Sequence, residues 1–363
     1  MKMNPMRNDN RFKLGVFAAN ADGCLSITKV PERWMASWDD IVAAAQMADQ
    51  AGLEFFLPLA RWKGFGGETN ARHISFETFT FAAALSGLTE QIALFATVHS
   101  LIVPPVYAAK ALATVDHASH GRAGLNIVCG WNQPEFDMFG LQKPENVYDQ
   151  GKEWLEILTR TLKGGAPFDY KGEHFDLKGV EGAPSTVQTP HPILLSAAFS
   201  PPGRDFAAKY CDCIFTTFND HDEAEKSIAD FNQRVEKAGR QAGFYAPVHV
   251  VCRPTQQEAD AYYENFAVTH ADNDAVDIHM AMKKKMSGSH DPKTYDLYRK
   301  RFAAGAGSFP YVGTPQAIVD QMIIMERLGF GGVAMSFVNP KLELPYFLEN
   351  VLPLMEEAGL REK

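Results

Sequence analysis

The chain has 363 residues, a length that suits one large barrel or two smaller domains with a sizeable core. Its composition, with 46% hydrophobic and 22% charged residues, is typical of a folded globular protein and argues against extensive disorder. A formal net charge of -9 excludes the basic surface that nucleic acid or anionic lipid requires, so we expect neither partner.

The cysteines and the N-terminal segment indicate the compartment. The five cysteines are odd in number and mostly lie in apolar runs, which is typical of small buried side chains in a reducing compartment. Residues 1–12 contain no apolar signal core, and no run approaches the ~20 apolar residues of a membrane helix. We therefore expect a cytoplasmic protein whose residues 1–12 form a flexible N-terminal tail.

Apolar runs and amphipathic segments alternate along the first half of the chain. The run "KLGVFAA" predicts a strand, and "SWDDIVAAAQMADQAG" predicts a helix that Ser37 caps and Gly52 ends. The same alternation then repeats. Predicted strands cover 13–19, 53–60, 92–98 and 123–130, and predicted helices cover 37–52, 75–89, 104–120 and 149–163.

The second half of the chain interrupts this alternation once and then resumes it. A hairpin is predicted at "FDYKGEHFDLKG", where Gly172 separates two aromatic-rich runs. The polar segment 254–310, which carries Lys and His residues, is interpreted as an insertion. Further strands are predicted at 191–198, 213–218, 248–253 and 331–337, and further helices at 203–211, 221–240, 314–329 and 342–359.

Eight predicted strands, each followed by a helix, indicate an α/β protein with a parallel sheet. Nearly continuous apolar strands imply burial on both faces, and eight βα units are the number that closes a barrel. A doubly wound open sheet fits the same alternation but does not need eight units. We predict a (β/α)8 TIM barrel, a single domain over 13–363 with a helical or loop insertion at about 254–310.

Polar residues recur where the predicted strands end, which is where the βα loops of a barrel share one mouth. Asn126 is the clearest case, because it interrupts the apolar run "AGLNIVCG". A buried amide or hydroxyl costs free energy unless something hydrogen-bonds it, and a polar heteroaromatic ligand would do so. Each residue alone also fits an ordinary core or loop position. The set comprises Arg61, Thr97, His99, Asn126, Ser196, Ser200, Thr216 and Thr217.

Ser200 opens a predicted helix that has two prolines in its first turn. Such a helix N-terminus with a hydroxyl suits a phosphate, although ordinary capping explains the same residues. The sequence has no Walker A motif and no nucleophile elbow, and "HASH" offers two histidines but no third ligand, so no metal site is predicted. The lack of an evident nucleophile is typical of an enzyme whose cofactor does the difficult chemistry.

Three sequence blocks resemble, in order and spacing, the bacterial luciferase-like monooxygenases that depend on reduced flavin. The blocks are "RWKGFGGET", "HSLIVPPVYAAKALATVDHASHGR" and "LNIVCGWNQPEF". Within the family the likeness is greatest to the branch that oxidises pyrimidines and next greatest to the dimethyl sulfone monooxygenases. The resemblance implies a luciferase-like barrel, noncovalent FMN used as FMNH2, O2 as co-substrate and a separate NAD(P)H-dependent flavin reductase. It also implies a homodimer or homotetramer.

The resemblance further implies where flavin and oxygen bind. The family's flavin contacts fall on Ala60, Arg61, Asn126, Glu135, Tyr148 and Ser200. In the pyrimidine branch a small O2 pocket beside the flavin corresponds to Leu57, Thr97, Asn126, Trp131 and Phe215. The polar members of this pocket would steady an oxygen adduct by hydrogen bonds, and the apolar members would form its walls. Val147 stands where relatives usually carry Arg, which removes one cation from the phosphate site.

The activity that the resemblance implies is cleavage of a ring C–N bond in a uracil-like pyrimidine or cyclic amide through a flavin peroxide. The segments 63–67 and 254–310 would close the site as lids. One alternative is a monooxygenase that cleaves the C–S bond of dimethyl sulfone or an alkanesulfonate. A flavin-binding protein without turnover and a deazaflavin-dependent reductase remain further alternatives, and oxygen uptake separates both from the monooxygenases.

Overall fold

The computed structural model describes residues 4–287 and 295–362 of the chain. Strands and helices alternate through most of this range. The strands are β1 (Lys13–Phe17), β2 (Phe55–Leu57), β3 (Ala93–His99), β4 (Ala123–Val128), β5 (Phe168–Lys171), β6 (Asp176–Val180), β7 (Ile193–Ala197), β8 (Cys213–Phe215), β9 (Gly243–Cys252), β10 (Phe309–Gly313) and β11 (Gly332–Ser336). The helices are α1 (Trp38–Gln50), α2 (Thr78–Ser86), α3 (Pro105–Ala118), α4 (Gln133–Met138), α5 (Val147–Lys163), α6 (Pro201–Tyr210), α7 (His221–Lys237), α8 (Gln256–Glu264), α9 (Asn273–Ser287), α10 (Tyr295–Gly305), α11 (Pro315–Leu328) and α12 (Pro340–Glu357).

The large sheet has the topology of a (β/α)8 barrel. Its strand order is β10-β9-β11-β1-β2-β3-β4-β7-β8, with a further pairing between β9 and β8 that closes the sheet. The predicted fold class is therefore confirmed. The eight predicted strands correspond to β1, β2, β3, β4, β7, β8, β9 and β11.

The elements outside the eight βα units were predicted less completely. The hairpin around Gly172 is present as the antiparallel pair β5 and β6. Strand β10 was not predicted, because Pro310 and Gly313 discourage a strand assignment for "FPYVG". The structure accommodates Pro310 because β10 is an edge strand that pairs with β9 on one side.

Local sequence explains where the helices begin and end. The Ser37 hydroxyl accepts a hydrogen bond from Asp40 N at the start of α1, and Gly52 follows the end of that helix with a φ of 71°. Both predictions for this helix are confirmed. Thr255 and Glu258 form a capping box that fixes the start of α8. Within the described ranges, every helix is too short or too polar to cross a membrane.

Contacts between Cα atoms divide the chain into two compact units. Unit 1 comprises Met1–Asn8, Glu77–Phe215 and Ala229–Gly243. Its strands β3, β4, β7 and β8 pair in parallel. Phe95 lies opposite Gly124 in this register, and a Cβ atom at Gly124 would lie 2.6 Å from the Phe95 ring. The glycine therefore makes room for the aromatic side chain of the neighbouring strand.

Unit 2 comprises Asp9–Phe76, Thr216–Ile228 and Phe244–Lys363. Within it, β1 pairs with β2 and β11, and β9 pairs with β10 and β11, all in parallel. Gly15 lies opposite Phe55, and a Cβ atom there would lie 2.3 Å from the ring. Each unit thus packs one large aromatic side chain over a glycine of the adjacent strand.

The two segments outside the predicted strand and helix series also make ordered contacts. In unit 1, Asn4 is buried and its amide donates to Gln188 Oε1 over 3.0 Å, and in unit 2 Phe12 is fully buried. The flexibility of residues 1–12 stays a prediction. The segment 254–310 contains α8, a π-helical turn over Asn265–Thr269, α9 and α10, and part of it, residues 288–294, lies outside the described residues.

Candidate active site

A buried amide lies at the ends of β3 and β4 in unit 1. Asn126 is 3% exposed and is the register partner of Thr97, and its Nδ2 donates to Thr97 Oγ1 over 3.2 Å. No residue in the ranges 4–287 and 295–362 donates to Asn126 Oδ1, although this atom is buried. A buried acceptor without a donor costs about 1–3 kcal/mol, so this oxygen indicates a place for a bound N–H or O–H group.

A buried histidine and glutamate lie beside this amide. Side chains two residues apart on a strand share a face, so His99 projects on the same side of β3 as Thr97. His99 Nδ1 lies 3.6 Å from Glu135 Oε2, and the two side chains are 3% and 0% exposed. An imidazole and a carboxylate at this separation are candidates for moving a proton during a reaction. The predicted site residue Glu135 is thus brought next to His99.

The turn after β4 places Glu135 against β3. Gly130 has a φ of 117°, and a Cβ atom at this position would lie 2.6 Å from the Phe136 ring. The Glu135 N–H then donates to Asn132 O over 3.1 Å as α4 begins. The abrupt end of the apolar run in Gly-Trp-Asn therefore has a structural purpose, because it turns the chain back so that α4 covers the end of β3.

Two hydroxyl groups meet at the start of α6. Tyr148 Oη and Ser200 Oγ lie 3.3 Å apart, and the Ser200 hydroxyl accepts from Gly203 N over 3.3 Å. A Cβ atom at Gly203 would lie 2.4 Å from Tyr148 Oη, so the glycine is needed for this close approach. Burial raises the pKa of Tyr148, so its hydroxyl remains protonated and able to donate at neutral pH. Two hydroxyls at the positive end of a helix suit a phosphate.

Cys129 is a packing residue rather than a nucleophile. Its thiol is buried, and burial raises its pKa to about 12. A Cβ atom at Gly151 would lie 2.8 Å from Cys129 Sγ, so α5 packs directly on the end of β4. This contact positions α5 and therefore Tyr148, which lies in the first turn of that helix.

The remaining predicted residues all lie at or just after the ends of strands. In unit 1, Phe215 is the last residue of β8 and Trp131 follows β4. In unit 2, Leu57 is the last residue of β2 and is 1% exposed, and Ala60 and Arg61 follow it. The Arg61 guanidinium lies 4.8 Å from the centre of the Phe65 ring. Their roles in binding flavin or oxygen stay predictions.

The pairing of His99 with Glu135 and the contact of Gly203 with Tyr148 were not predicted. His99 belongs to the polar residues at strand ends, but its partner is distant in sequence and lies on a short helix that was not predicted. Gly203 lies between two prolines and an arginine, and a glycine in a first helical turn gives no signal of its function. Both contacts depend on tertiary packing.

The fold and the site together define a class of protein. Eight βα units with a cluster of buried polar side chains at strand ends are typical of an enzyme, and the hydroxyl pair at a helix N-terminus is typical of a site for a phosphate-bearing cofactor. The luciferase-like monooxygenase family matches residues 12–331. The chain belongs to this family and is a flavin-dependent monooxygenase.

Individual relatives agree with this assignment. The pyrimidine monooxygenase RutA of Yersinia enterocolitica is 31% identical over 357 residues, which cover 96% of this chain and 96% of the relative. RutA of Enterobacter sp. is 28% identical over 354 residues, which cover 95% of this chain and 96% of the relative. Among solved structures, DmoA from Hyphomicrobium sulfonivorans matches with a TM-score of 0.86 and 16% identity, over 96% of this chain and 89% of its own. This last similarity supports the fold alone.

The residues present fit a flavin mononucleotide. The buried Asn126 Oδ1 accepts from no residue in the described part of the chain and suits an N–H group of the flavin ring. The hydroxyl groups of Tyr148 and Ser200 at the N-terminus of α6 suit the phosphate.

Proposed function

We propose that this protein is a two-component monooxygenase that uses reduced FMN and O2 to cleave a ring C–N bond in a small cyclic amide, most directly a uracil-like pyrimidine. The names of the relatives at 28% and 31% identity support the pyrimidine ring as the substrate. The single structural observation that carries the proposal is the buried, half-satisfied amide of Asn126. Reduced FMN would supply the two electrons that activate O2.

Asn126 and Thr97 would hold the reacting oxygen in place. The amide nitrogen of Asn126 and the hydroxyl of Thr97 are already joined over 3.2 Å, so both are fixed before anything binds. A fixed hydrogen-bonding pair in a site sealed from water stabilises charge that develops on oxygen without reorganisation. We place Trp131 and Phe215 as apolar walls of this part of the site and Leu57 as a third wall residue.

His99 and Glu135 would manage the proton that C–N cleavage requires. The nitrogen that leaves the ring must gain a proton, and a neutral or protonated imidazole can supply or relay it. Glu135 Oε2 lies 3.6 Å from His99 Nδ1, so in this proposal the carboxylate orients the imidazole and Nε2 is the atom that exchanges the proton. Glu135 is therefore a positioning residue in this proposal.

Tyr148, Ser200 and the N-terminus of α6 would bind the FMN phosphate. The hydroxyls lie 3.3 Å apart, and both can donate. Ala60 and Arg61 keep their predicted flavin contacts. We further propose that a separate NAD(P)H-dependent flavin reductase delivers the reduced cofactor and that the enzyme works as a homodimer or homotetramer in the cytoplasm.

The test is to load the protein with FMNH2 without oxygen and mix it with buffer containing 18O2. Uracil, dimethyl sulfone and methanesulfonate are supplied in parallel reactions, and the products are analysed by mass. The proposal expects a ring-opened uracil product that carries one 18O atom. A labelled product from either sulfur compound, with none from uracil, would assign C–S cleavage instead.

The same experiment separates the non-monooxygenase alternatives. A protein that binds flavin without turnover consumes no O2 beyond the rate of free FMNH2. A deazaflavin-dependent reductase shows no uptake linked to substrate. Hydrogen peroxide with every substrate would contradict the choice of substrates while leaving the flavin chemistry in place.

A further inference from the structure

A buried arginine in unit 2 keeps part of its hydrogen-bonding capacity unused. Arg72 lies in the loop after β2 and is 2% exposed. Its Nε donates to Cys24 O over 2.9 Å and its Nη2 to Leu25 O over 2.5 Å. Across residues 4–287 and 295–362, no group accepts from Nη1, and no carboxylate forms an ion pair with the guanidinium.

A second buried arginine shows how many hydrogen bonds a guanidinium makes in this chain when its role is structural. Arg122, just before β4 in unit 1, is 4% exposed. Its nitrogen atoms donate to Ser119 O, Thr89 Oγ1, Ile92 O, Ser86 O and Thr89 O. A buried charge is costly unless it is paired or fully hydrogen-bonded, and Arg122 meets that condition with five bonds. Arg72 makes two such bonds, from Nε and Nη2, so its Nη1 is left to water or to a bound ligand.

The surroundings of Arg72 increase the cost of its unpaired charge. The guanidinium carbons of Arg72 and Arg61 lie 5.0 and 4.8 Å from the centre of the Phe65 ring. Burial and the nearby charge of Arg61 lower the pKa of Arg72 to about 9, so the side chain is still a cation at neutral pH. Asp22 is the acidic neighbour, and its Oδ1 accepts from Ile74 N. An oxygen atom with negative charge would relieve the repulsion between the two arginines.

The loop holds Arg72 rigidly. Arg72 has a φ of 65°, a left-handed conformation that is rare for a side chain of this size, and its N–H donates to Asp22 O over 3.2 Å. The Thr69 N–H and hydroxyl both donate to Asp272 Oδ2 over 2.7 Å, and His279 of α9 stacks on Phe65 at 4.0 Å. A strained residue fixed by its neighbours in a loop after a barrel strand is typical of a ligand contact.

We propose that Arg72 Nη1 hydrogen-bonds an anionic or strongly polarised oxygen of the substrate and makes the enzyme prefer an oxyanion-bearing ring over a neutral one. This inference rests on the proposed function for the identity of the ring. The shared chemistry is a small molecule with negative charge on oxygen. A sulfonate carries the same feature, and the test below distinguishes the two.

The test compares binding of barbiturate, uracil and methanesulfonate to the full-length protein by calorimetric titration at pH 7. Barbiturate has the same ring as uracil and is an anion at this pH. A charge-assisted hydrogen bond contributes about 1.5–3 kcal/mol, so wild type should bind barbiturate at least about tenfold more tightly than uracil. Arg72→Gln should remove this preference, and Arg72→Lys should keep part of it. The matched control Arg122→Lys should lower the melting temperature but leave the three dissociation constants unchanged.

Two results would overturn the inference. One is equal affinity of wild type for barbiturate and uracil, which decides the matter even if Arg72→Gln does not fold. The other is an unchanged preference for barbiturate in Arg72→Gln. If methanesulfonate binds wild type more tightly than Arg72→Gln and barbiturate does not bind, the role of Arg72 is supported and the proposed pyrimidine substrate is contradicted. If wild type binds barbiturate more tightly than uracil but forms no labelled product from uracil in the 18O2 experiment, only the proposed function is contradicted.

Discussion

At the scale of single residues, we expect the Asn126 amide to lower the stability of the unliganded protein and to increase its turnover. Its amide oxygen is buried without a donor from the described residues, while its amide nitrogen makes one hydrogen bond. A leucine has the same number of side-chain heavy atoms in the same branched arrangement and no polar atoms to satisfy. The protein retains an amide in an apolar strand although an aliphatic residue would suit the core better, which is expected where binding has priority over stability.

We predict that Asn126→Leu leaves the unliganded protein as stable as wild type or more stable by about 1 kcal/mol. The same change should reduce turnover with FMNH2 at least about 100-fold, because a fixed hydrogen-bond donor is lost at the reacting oxygen. Urea unfolding of the flavin-free protein and single-turnover kinetics measure the two effects. A loss of more than about 2 kcal/mol in the free energy of unfolding would show that Asn126 is a structural residue.

Tyr148 should contribute to FMN affinity through its hydroxyl. We predict that Tyr148→Phe weakens FMN binding about 5- to 20-fold, the effect of one hydrogen bond to a charged group. Because burial raises the pKa of Tyr148, the hydroxyl stays protonated and its contribution should not change between pH 7.5 and pH 9, where the phosphate is a dianion. Fluorescence titration with FMN measures the affinity. Tyr170→Phe is the control, since that hydroxyl donates to Glu156 Oε2 on the outside of the hairpin, and equal effects of both changes would contradict the assignment.

The sequence was informative about single site residues and uninformative about their contacts. Asn126 stood out because an amide in an apolar strand is exceptional, and the polar residues at strand ends followed from the barrel. The distance between His99 and Glu135 was not predictable, because it depends on the turn at Gly130 and on a six-residue helix with little amphipathic pattern. The burial of Arg72 was not predictable, since it follows from the packing of two loops.

At the scale of elements, both units pack a large aromatic residue against a glycine on the neighbouring strand. The pairs are Gly15 with Phe55 in unit 2 and Gly124 with Phe95 in unit 1. A glycine weakens an isolated strand, so its presence in the middle of a buried strand indicates that the neighbouring ring needs the space. The close approach fixes the register of each strand pair, because a one-residue shift would bring the ring against a side chain.

We predict that Gly124→Ala lowers the free energy of unfolding by about 1–3 kcal/mol, because its methyl group would lie 2.6 Å from the Phe95 ring. Adding Phe95→Leu should recover part of this loss, since the smaller side chain can move away. Gly87→Ala is the control, because its Cβ would meet one atom at 4.0 Å and the backbone there is right-handed. Chemical denaturation of wild type, Gly124→Ala, Phe95→Leu and the double variant measures the coupling, and strictly additive losses would be inconsistent with the contact.

Helices and strands were predicted correctly where the spacing of apolar residues agreed with the residues that mark the start and the end of an element. Helix α1 was predicted with both ends, because Ser37 and Gly52 are strong signals at the correct spacing. Strand β10 was missed because its pairing with β9 is long-range, and Pro310 gives a local signal against a strand. The π-helical turn at Asn265–Thr269 depends on packing and has no sequence signature.

At the scale of the whole molecule, a buried histidine should make stability depend on pH. His249 is 2% exposed, its Nδ1 lies 3.0 Å from Ser308 Oγ, and its Nε2 lies 3.2 Å from Tyr263 Oη. Burial and the nearby charge of Arg301 lower the pKa of His249 to about 3 in the folded protein. The unfolded chain binds this proton near pH 6.5, so it holds more protons than the folded chain between about pH 3 and pH 6.5.

We therefore predict that His249 contributes its full stability above about pH 6.5 and that this contribution falls as the pH decreases, by up to about 1.4 kcal/mol per pH unit. Urea unfolding at pH 7, 6 and 5 measures the slope. In His249→Gln the free energy of unfolding should change less steeply with pH, because glutamine does not titrate and unfolding then takes up about one proton fewer. An identical slope in wild type and variant would mean that His249 is protonated in the folded protein.

The barrel was predictable as a whole because its eight βα units repeat the same pattern. The strands are largely apolar and each is followed by a helix, so the alternation is visible without knowledge of any contact. The segment 254–310 was less predictable, because its helices pack on side chains such as Val30 and Val251 that are distant in sequence. The substrate depends on loops of this kind, which is why sequence pattern alone did not select it.

The central claim is that the Asn126 amide of a flavin-dependent monooxygenase holds reacting oxygen at a cyclic amide substrate. It is tested most directly by a single turnover of wild type and Asn126→Leu, each loaded with FMNH2 and mixed with 18O2 and uracil. We expect one 18O atom in the ring-opened product of wild type, and hydrogen peroxide with almost no product from the variant. Equal yields of labelled product from the two proteins would contradict the claim.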